Sequence, residues 1–226
     1  MKNLSLIAFA LLFAVSAAAD IPADYVWDSM SRDSSQSMPV GGGDIGLNVW
    51  AEDGDVLFYM CRSGAYDENG ALLKQGRVRI HIPGSPVKPF SQRLRLVDGY
   101  CELALGDSKV VIWADVYRPV VHVEIEGRKA VKPRVSYENW RYADRPYRKG
   151  EGQQGSWKWT SPKKNVRTSR DSIFPGQCDV TFFHHNPDST VFDVTVAREG
   201  MDSVKHKLWN PLSRLASGGR LRGDNL

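Results

Sequence analysis

Between Leu47 and Ile125 the chain reverses direction at near-regular intervals, on residues suited to tight turns. Asp53-Gly54, Asp98-Gly99 and Gly106-Asp107 each separate two runs of alternating apolar and polar residues, the signal for strands joined as hairpins. Leu47, Val49 and Ala51 alternate with Asn48 and Trp50; Val78, Ile80 and Ile82 alternate with Arg77, Arg79 and His81. Farther on, Val121, Val123 and Ile125 alternate with His122, Glu124 and Glu126. A period of two sends one set of side chains to a core and the other to water. Val110-Val111-Ile112-Trp113 is apolar throughout and predicts a central strand. Pro83-Gly84-Ser85-Pro86 and Tyr117-Arg118-Pro119 end the runs before them. No run has a helical period, so the fold predicted is all-β, an antiparallel β-sandwich, and a βαβ fold is excluded.

Ahead of the first run lies Met38-Pro39-Val40-Gly41-Gly42-Gly43-Asp44-Ile45-Gly46. Three adjacent glycines permit positive φ and predict a tight turn into the strand at Leu47. Gly41 to Gly46 also spells G-x-G-x-x-G, but a dinucleotide site needs an apolar strand before the glycines and a helix after them. Here Ser34-Ser35-Gln36-Ser37 precedes and a strand follows, so no nucleotide cofactor is implied. Residues 20–37 are polar, with Trp27 as their large anchor, and are expected to lie along the domain edge.

Lys2, the apolar run Leu4 to Val15 and the small residues Ala17-Ala18-Ala19 form the three parts of a secretion signal. Residues 1–19 are therefore expected to be removed and the chain exported, to the periplasm or beyond. That apolar run is shorter than the roughly 20 residues that span a bilayer. With 30 Lys and Arg against 26 Asp and Glu, the net charge is +4, a near balance that makes no case for nucleic acid. Cys61, Cys101 and Cys178 sit in strand-like runs and are expected to be three buried thiols, although export would permit one disulfide. No two have the spacing of metal ligands.

Residues 141–177 break the hairpin rhythm with a basic, Gly-, Ser- and Pro-containing stretch that includes Trp157-Lys158-Trp159. A loop of that length is usually functional or disordered. Trp157 and Trp159 are candidates for carbohydrate contact, because an indole face suits the C–H face of a pyranose; pinning the loop is the simpler role. Asp44 is a third candidate, held in a glycine-rich turn that either aims it at a neighbouring domain or lets it cap its own turn. Glu124 and Glu126 share a strand face, and glycoside hydrolysis needs two carboxyl groups. Alternating charge on the wet face of a strand is far commoner, so no catalytic residue is assigned. His184 and His185 follow the strand Val180 to Phe183 and must face opposite ways, which prevents a shared metal and leaves one buried and bonded, the other in solvent. Strand signals resume at Phe192, Val194 and Val196, and Val204 to Trp209 reads as a short helical turn or strand. From Ser217 to Leu226 no closing strand is evident, so the domain is expected to be incomplete at its C-terminal end.

The stretch from Met38 to Trp50 resembles the Pro-Leu-Gly-Asn-Gly signature near the start of bacterial glycoside hydrolases of the α-L-fucosidase type, which pair an N-terminal β-sandwich with an α/α toroid. Gly42 stands where those hydrolases carry Asn, so any role of that side chain is lost here. Trp27-Asp28-Ser29, Ser37 to Gly46 and Asp67-Glu68-Asn69-Gly70 resemble more closely a domain of unknown function that opens large secreted proteins of gut Bacteroidetes. That likeness continues through Phe182-Phe183-His184-His185-Asn186 to Gly218-Gly219. It implies a supersandwich-like domain over residues 20–226, cut before a helical toroid that carries the acid and base. The role implied is a non-catalytic domain that packs on and supports the toroid. An autonomous carbohydrate-binding module using the Trp157/Trp159 loop, with glycans as partners, and a structural module without a ligand are the alternatives. No cofactor or metal is implied.

Overall fold

The computed structural model describes residues 24–128, 132–146, 148 and 167–224. In chain order the first strands are β1 (Tyr25–Trp27), β2 (Met38–Gly42), β3 (Ile45–Glu52), β4 (Asp55–Tyr66) and β5 (Leu72–His81). Then come β6 (Phe90–Arg95), β7 (Tyr100–Leu105), β8 (Ser108–Ala114), β9 (Val121–Gly127) and β10 (Arg134–Glu138). They form two five-stranded antiparallel sheets, in the orders β1-β6-β7-β8-β9 and β10-β5-β4-β3-β2. Between them lie Val49, Val56, Phe58, Val78 and Ile80 from one sheet and Leu103, Leu105, Val110 and Ile112 from the other, none more than 2% exposed. Gln92, itself fully buried, crosses this core to donate from Nε2 to the Val49 carbonyl at 2.9 Å. The all-β sandwich read from the alternation is the fold observed.

Turn chemistry sets the registers. Asp53 and Gly54 both have positive φ, 52° and 87°, the type I′ condition that matches strand twist. At the β2–β3 hairpin Gly42 pairs with Ile45, leaving Gly43 and Asp44 as the turn, with Gly43 at φ 57°. Pro39 is tolerated in β2 because that strand lies at a sheet edge. Gly42 has a further constraint: a Cβ there would sit 2.4 Å from the Ala114 carbonyl oxygen at the end of β8. Gly42→Ala is expected to push the hairpin off β8 and cost about 1–3 kcal/mol. An unchanged urea midpoint in that variant would contradict this packing.

Outward positions behave as the alternation requires. Arg79 reaches Asp55 at 2.8 Å and Glu138 at 2.5 Å, and His81 lies 2.7 Å from Asp55. Trp50 and its cross-strand partner Leu57 are exceptions. Trp50 occupies an outward position yet is fully buried, as its reading as a core or sheet-edge residue requires, tilted on Tyr59 with ring centroids 4.9 Å apart. The lead-in runs along an edge as expected, since β1 pairs with β6 and Trp27 donates to the Gln36 carbonyl.

β11 (Arg145–Pro146) and β12 (Arg167–Thr168) pair as a two-stranded sheet, and a three-stranded sheet is built from β13 (Ser172–Pro175), β14 (Asp179–His185) and β15 (Ala216–Arg222). It docks through Phe182, whose ring stacks on Tyr137 with centroids 4.0 Å apart. Tyr137 in turn lies over Gly76, where a Cβ would come within 2.3 Å of its ring.

Three expectations are corrected, and one pair of readings is decided. The apolar positions Phe192, Val194 and Val196 belong not to a strand but to helix α1 (Val191–Arg198). The Thr190–Asp193 capping box starts it, with Thr190 Oγ1 accepting from Phe192 N and Asp193 accepting from Thr190 N. In so short a helix Val191 and Val196 are the buried residues, so three alternating apolar positions imitated a strand. The expected open end is a strand: β15 pairs with β14 from Ala216↔His185 to Arg222↔Asp179. Its Gly218 lies so close to the Phe182 carbonyl that no side chain fits, which erased the apolar alternation. The segment Val204 to Trp209 overlaps a 3₁₀ turn at Asp202–Lys207, the helical of its two readings. Last, the thiols are free but only Cys101 is buried; Cys61 is half-buried and Cys178 exposed. Burial pushes the Cys101 thiol up to about 12. No helix among the described residues is long and apolar enough to cross a membrane.

Candidate functional site

The loop Asp67-Glu68-Asn69-Gly70 joins β4 to β5. Asp67 closes it, accepting from the backbone N–H groups of Asn69 and Ala71 at 2.9 and 2.8 Å, as Asx turns do. Glu68 and Asn69 are thereby turned inward and lie 4% and 2% exposed. Glu68 Oε2 is 2.8 Å from His184 Nε2, while Glu68 Oε1 accepts from Ser169 N at 2.5 Å. On the other side of the ring, His184 Nδ1 is 2.8 Å from Asp171 Oδ1. Arg141 grips the same Asp171 with Nε and Nη2 at 2.8 and 2.7 Å and donates from Nη1 to the Lys74 carbonyl. Asn139 adds a bond to Asp171 Oδ2 at 2.6 Å.

Two carboxylates facing the two ring nitrogens require a proton on each. Burial opposes charge on His184, but the hydrogen bonds and charges of Asp171 and Glu68 outweigh it and lift its pKa to about 9. Burial also opposes the charged forms of Glu68 and Asp171, yet their bonds to His184 leave both below the usual carboxylate range. Asp67, desolvated and beside Glu68, moves the other way, upward. His184⁺ and Arg141⁺ thus balance Glu68⁻ and Asp171⁻ inside the protein. A histidine that is already protonated, and engaged on both nitrogens, offers no lone pair to a substrate. The cluster acts as a clamp on four separate pieces of chain.

A second arrangement lies at the surface, where the glycine-rich hairpin meets the loop after β8. Asp44 faces solvent and pairs with Arg62 of β4 at 2.6 Å. Its own backbone carbonyl accepts from Ser63 N, so the side chain ties neighbouring strands instead of capping its turn. Gly43 lies beside the Val116 carbonyl, where a Cβ would be 3.1 Å away. The structure thus sets the Gly42-Gly43 turn against the base of a loop carrying Tyr117, which the sequence showed only as a strand breaker.

The remaining candidates separate. Trp157 and Trp159 lie outside the described residues, as do the signal residues 1–19. Glu124 and Glu126 are exposed on edge strand β9. His184 is buried and bonded and His185 exposed, as strand geometry required. Glu68, Asp171 and Arg141 escaped the sequence reading; the one available signal was a charged residue between the turn-formers Asp67 and Asn69. Among the described residues no group of His, Cys, Asp and Glu is arranged to hold a metal. Residues 26–226 match the family model described as a domain of unknown function (DUF5703), in its N-terminal form. No curated protein matches the chain.

Proposed function

We propose a role from the premise that this chain belongs to the DUF5703 N-terminal family: it is a non-catalytic β-domain of a secreted carbohydrate-active protein, and it packs on and supports a helical partner domain. The observation that carries the packing role is an exposed apolar arm after α1. Met201, Val204, Leu208 and Trp209 are 37%, 39%, 38% and 82% exposed, and the 3₁₀ turn Asp202–Lys207 between them buries none of its residues. Lys205 anchors this arm to Asp193 of α1 at 2.6 Å. Apolar side chains gathered on a tethered surface segment mark a contact face. The carbohydrate assignment rests on the resemblance to toroid-bearing hydrolases.

Reading the gene past Leu226 tests this directly. A continuation of roughly 350 helix-patterned residues is expected, along with no turnover of aryl glycosides by the present chain alone. A stop codon immediately after Leu226, or glycosidase activity in the purified chain, would overturn the reading.

A further inference from the structure

We propose that the loop from Asp115 to Val120 is a saccharide contact, with Tyr117 as its stacking ring. The class of ligand rests on the carbohydrate reading above; the location comes from the structure. Asp115 organises the loop from its base. Its carboxylate accepts from the backbone N–H groups of Tyr117 and Arg118 at 2.8 and 3.1 Å and from Arg118 Nε and Nη2 at 2.9 and 2.7 Å. Asp115 N donates to the Val120 carbonyl, and Val120 N to that of Arg118. His122, stacked on Trp113 with centroids 4.8 Å apart, stands 3.7 Å from the same carboxylate. The glycine-rich hairpin braces the loop, because Gly42 and Gly43 carry no Cβ to hold it away from Ala114 and Val116.

This bracing displays side chains the sandwich does not use. Tyr117 is 95% exposed and Val116 62%. A fixed loop that presents a large aromatic ring to water has already met the ordering cost that binding would otherwise incur.

The surroundings select the ligand. Arg118 is matched by Asp115 and Arg62 by Asp44, so no surplus charge is offered to an anion or a polyanion. The apolar part of the tip is one ring flanked by Val116 and Val120. A stable protein partner needs about 800 Å² on each side, far more than this. A neutral polyhydroxylated ring suits it better, with its C–H face laid on Tyr117.

The test is native electrophoresis of the full chain through gels containing xylan, arabinan or galactomannan, beside a gel with none. Retardation is expected in at least one. Tyr117→Ala should weaken that retention by about tenfold or more, and Tyr117→Trp should preserve it. Because the side chain is exposed, all three proteins should melt at the same temperature. Retention unchanged in Tyr117→Ala overturns this site while leaving the carbohydrate reading standing. No retention on any of the three polysaccharides overturns the saccharide contact itself, whereas the support role is decided separately by the reading frame past Leu226.

Discussion

Replacing His184 with alanine is expected to destabilise the protein by about 3–5 kcal/mol. The wild-type ring is 1% exposed and lies between two buried carboxylates. Its removal leaves Asp171 with Arg141 and Asn139 but strips Glu68 of its cation, leaving it backbone N–H donors such as that of Ser169. An uncompensated buried charge costs far more than an exposed pair contributes. Since a domain has about 5–15 kcal/mol of stability in all, the variant should unfold at a much lower urea concentration. The pH dependence follows from the same ring. Its pKa is about 9 when folded, against about 6.5 in an unfolded chain. A raised value means that the stabilisation is complete below about pH 6.5 and is lost as pH climbs through 9. Wild-type stability should therefore decline between those limits, and His184→Ala should flatten that decline. Glu68 and Asp171, both lowered, contribute the opposite limb, present above their unfolded values and lost on acidification. Equal alkaline slopes in wild type and variant would show that the ring is not held as a cation.

Trp50→Ala should cost a similar amount, about 3–5 kcal/mol. The indole is fully buried, donates from Nε1 to Glu52 Oε2 at 2.8 Å and lies across the strand pair from Leu57, also fully buried. Tyr59 continues the cluster, edge-on to Trp140 with centroids 5.9 Å apart and beneath the Lys74 ammonium at 4.7 Å. Removing the largest of these side chains leaves a void that rings on a rigid sheet cannot close. Trp50→Phe retains most of the contact and loses the bond to Glu52, so it should cost only about 1 kcal/mol. Urea unfolding with unchanged m-values would measure both. A Trp50→Ala protein within about 0.5 kcal/mol of wild type would return this residue to the ordinary surface class.

These two sites show different degrees of legibility. For His184 and His185, strand geometry alone predicts that one is buried and the other exposed. It could not name the partners, since Glu68 is separated from His184 by 116 positions and Asp171 by 13. Trp50 reads from the sequence as a core or sheet-edge residue and is fully buried, although alternation alone would place it in water. Period two reports which face a side chain takes and is silent about what covers that face. The helix at Val191–Arg198 was signalled by Thr190 and Asp193, but its apolar spacing suited a strand equally well. β15 gave no signal because its middle is glycine, required by the close approach of Phe182.

By itself, the amino-acid sequence determined the hairpins. Turn residues such as Asp53-Gly54 and Asp98-Gly99 act through local φ preferences, and alternation acts through the geometry of a single strand, so neither needs the rest of the molecule. Tertiary structure alone decided that Glu68, Arg141, Asp171 and His184 form one neutral clamp, that Tyr59 lies against Trp50, and that Gly42 and Gly43 pack against the base of the Tyr117 loop. Charge pairing and burial depend on distances between segments far apart in the chain, and those distances exist only once the sheets have packed.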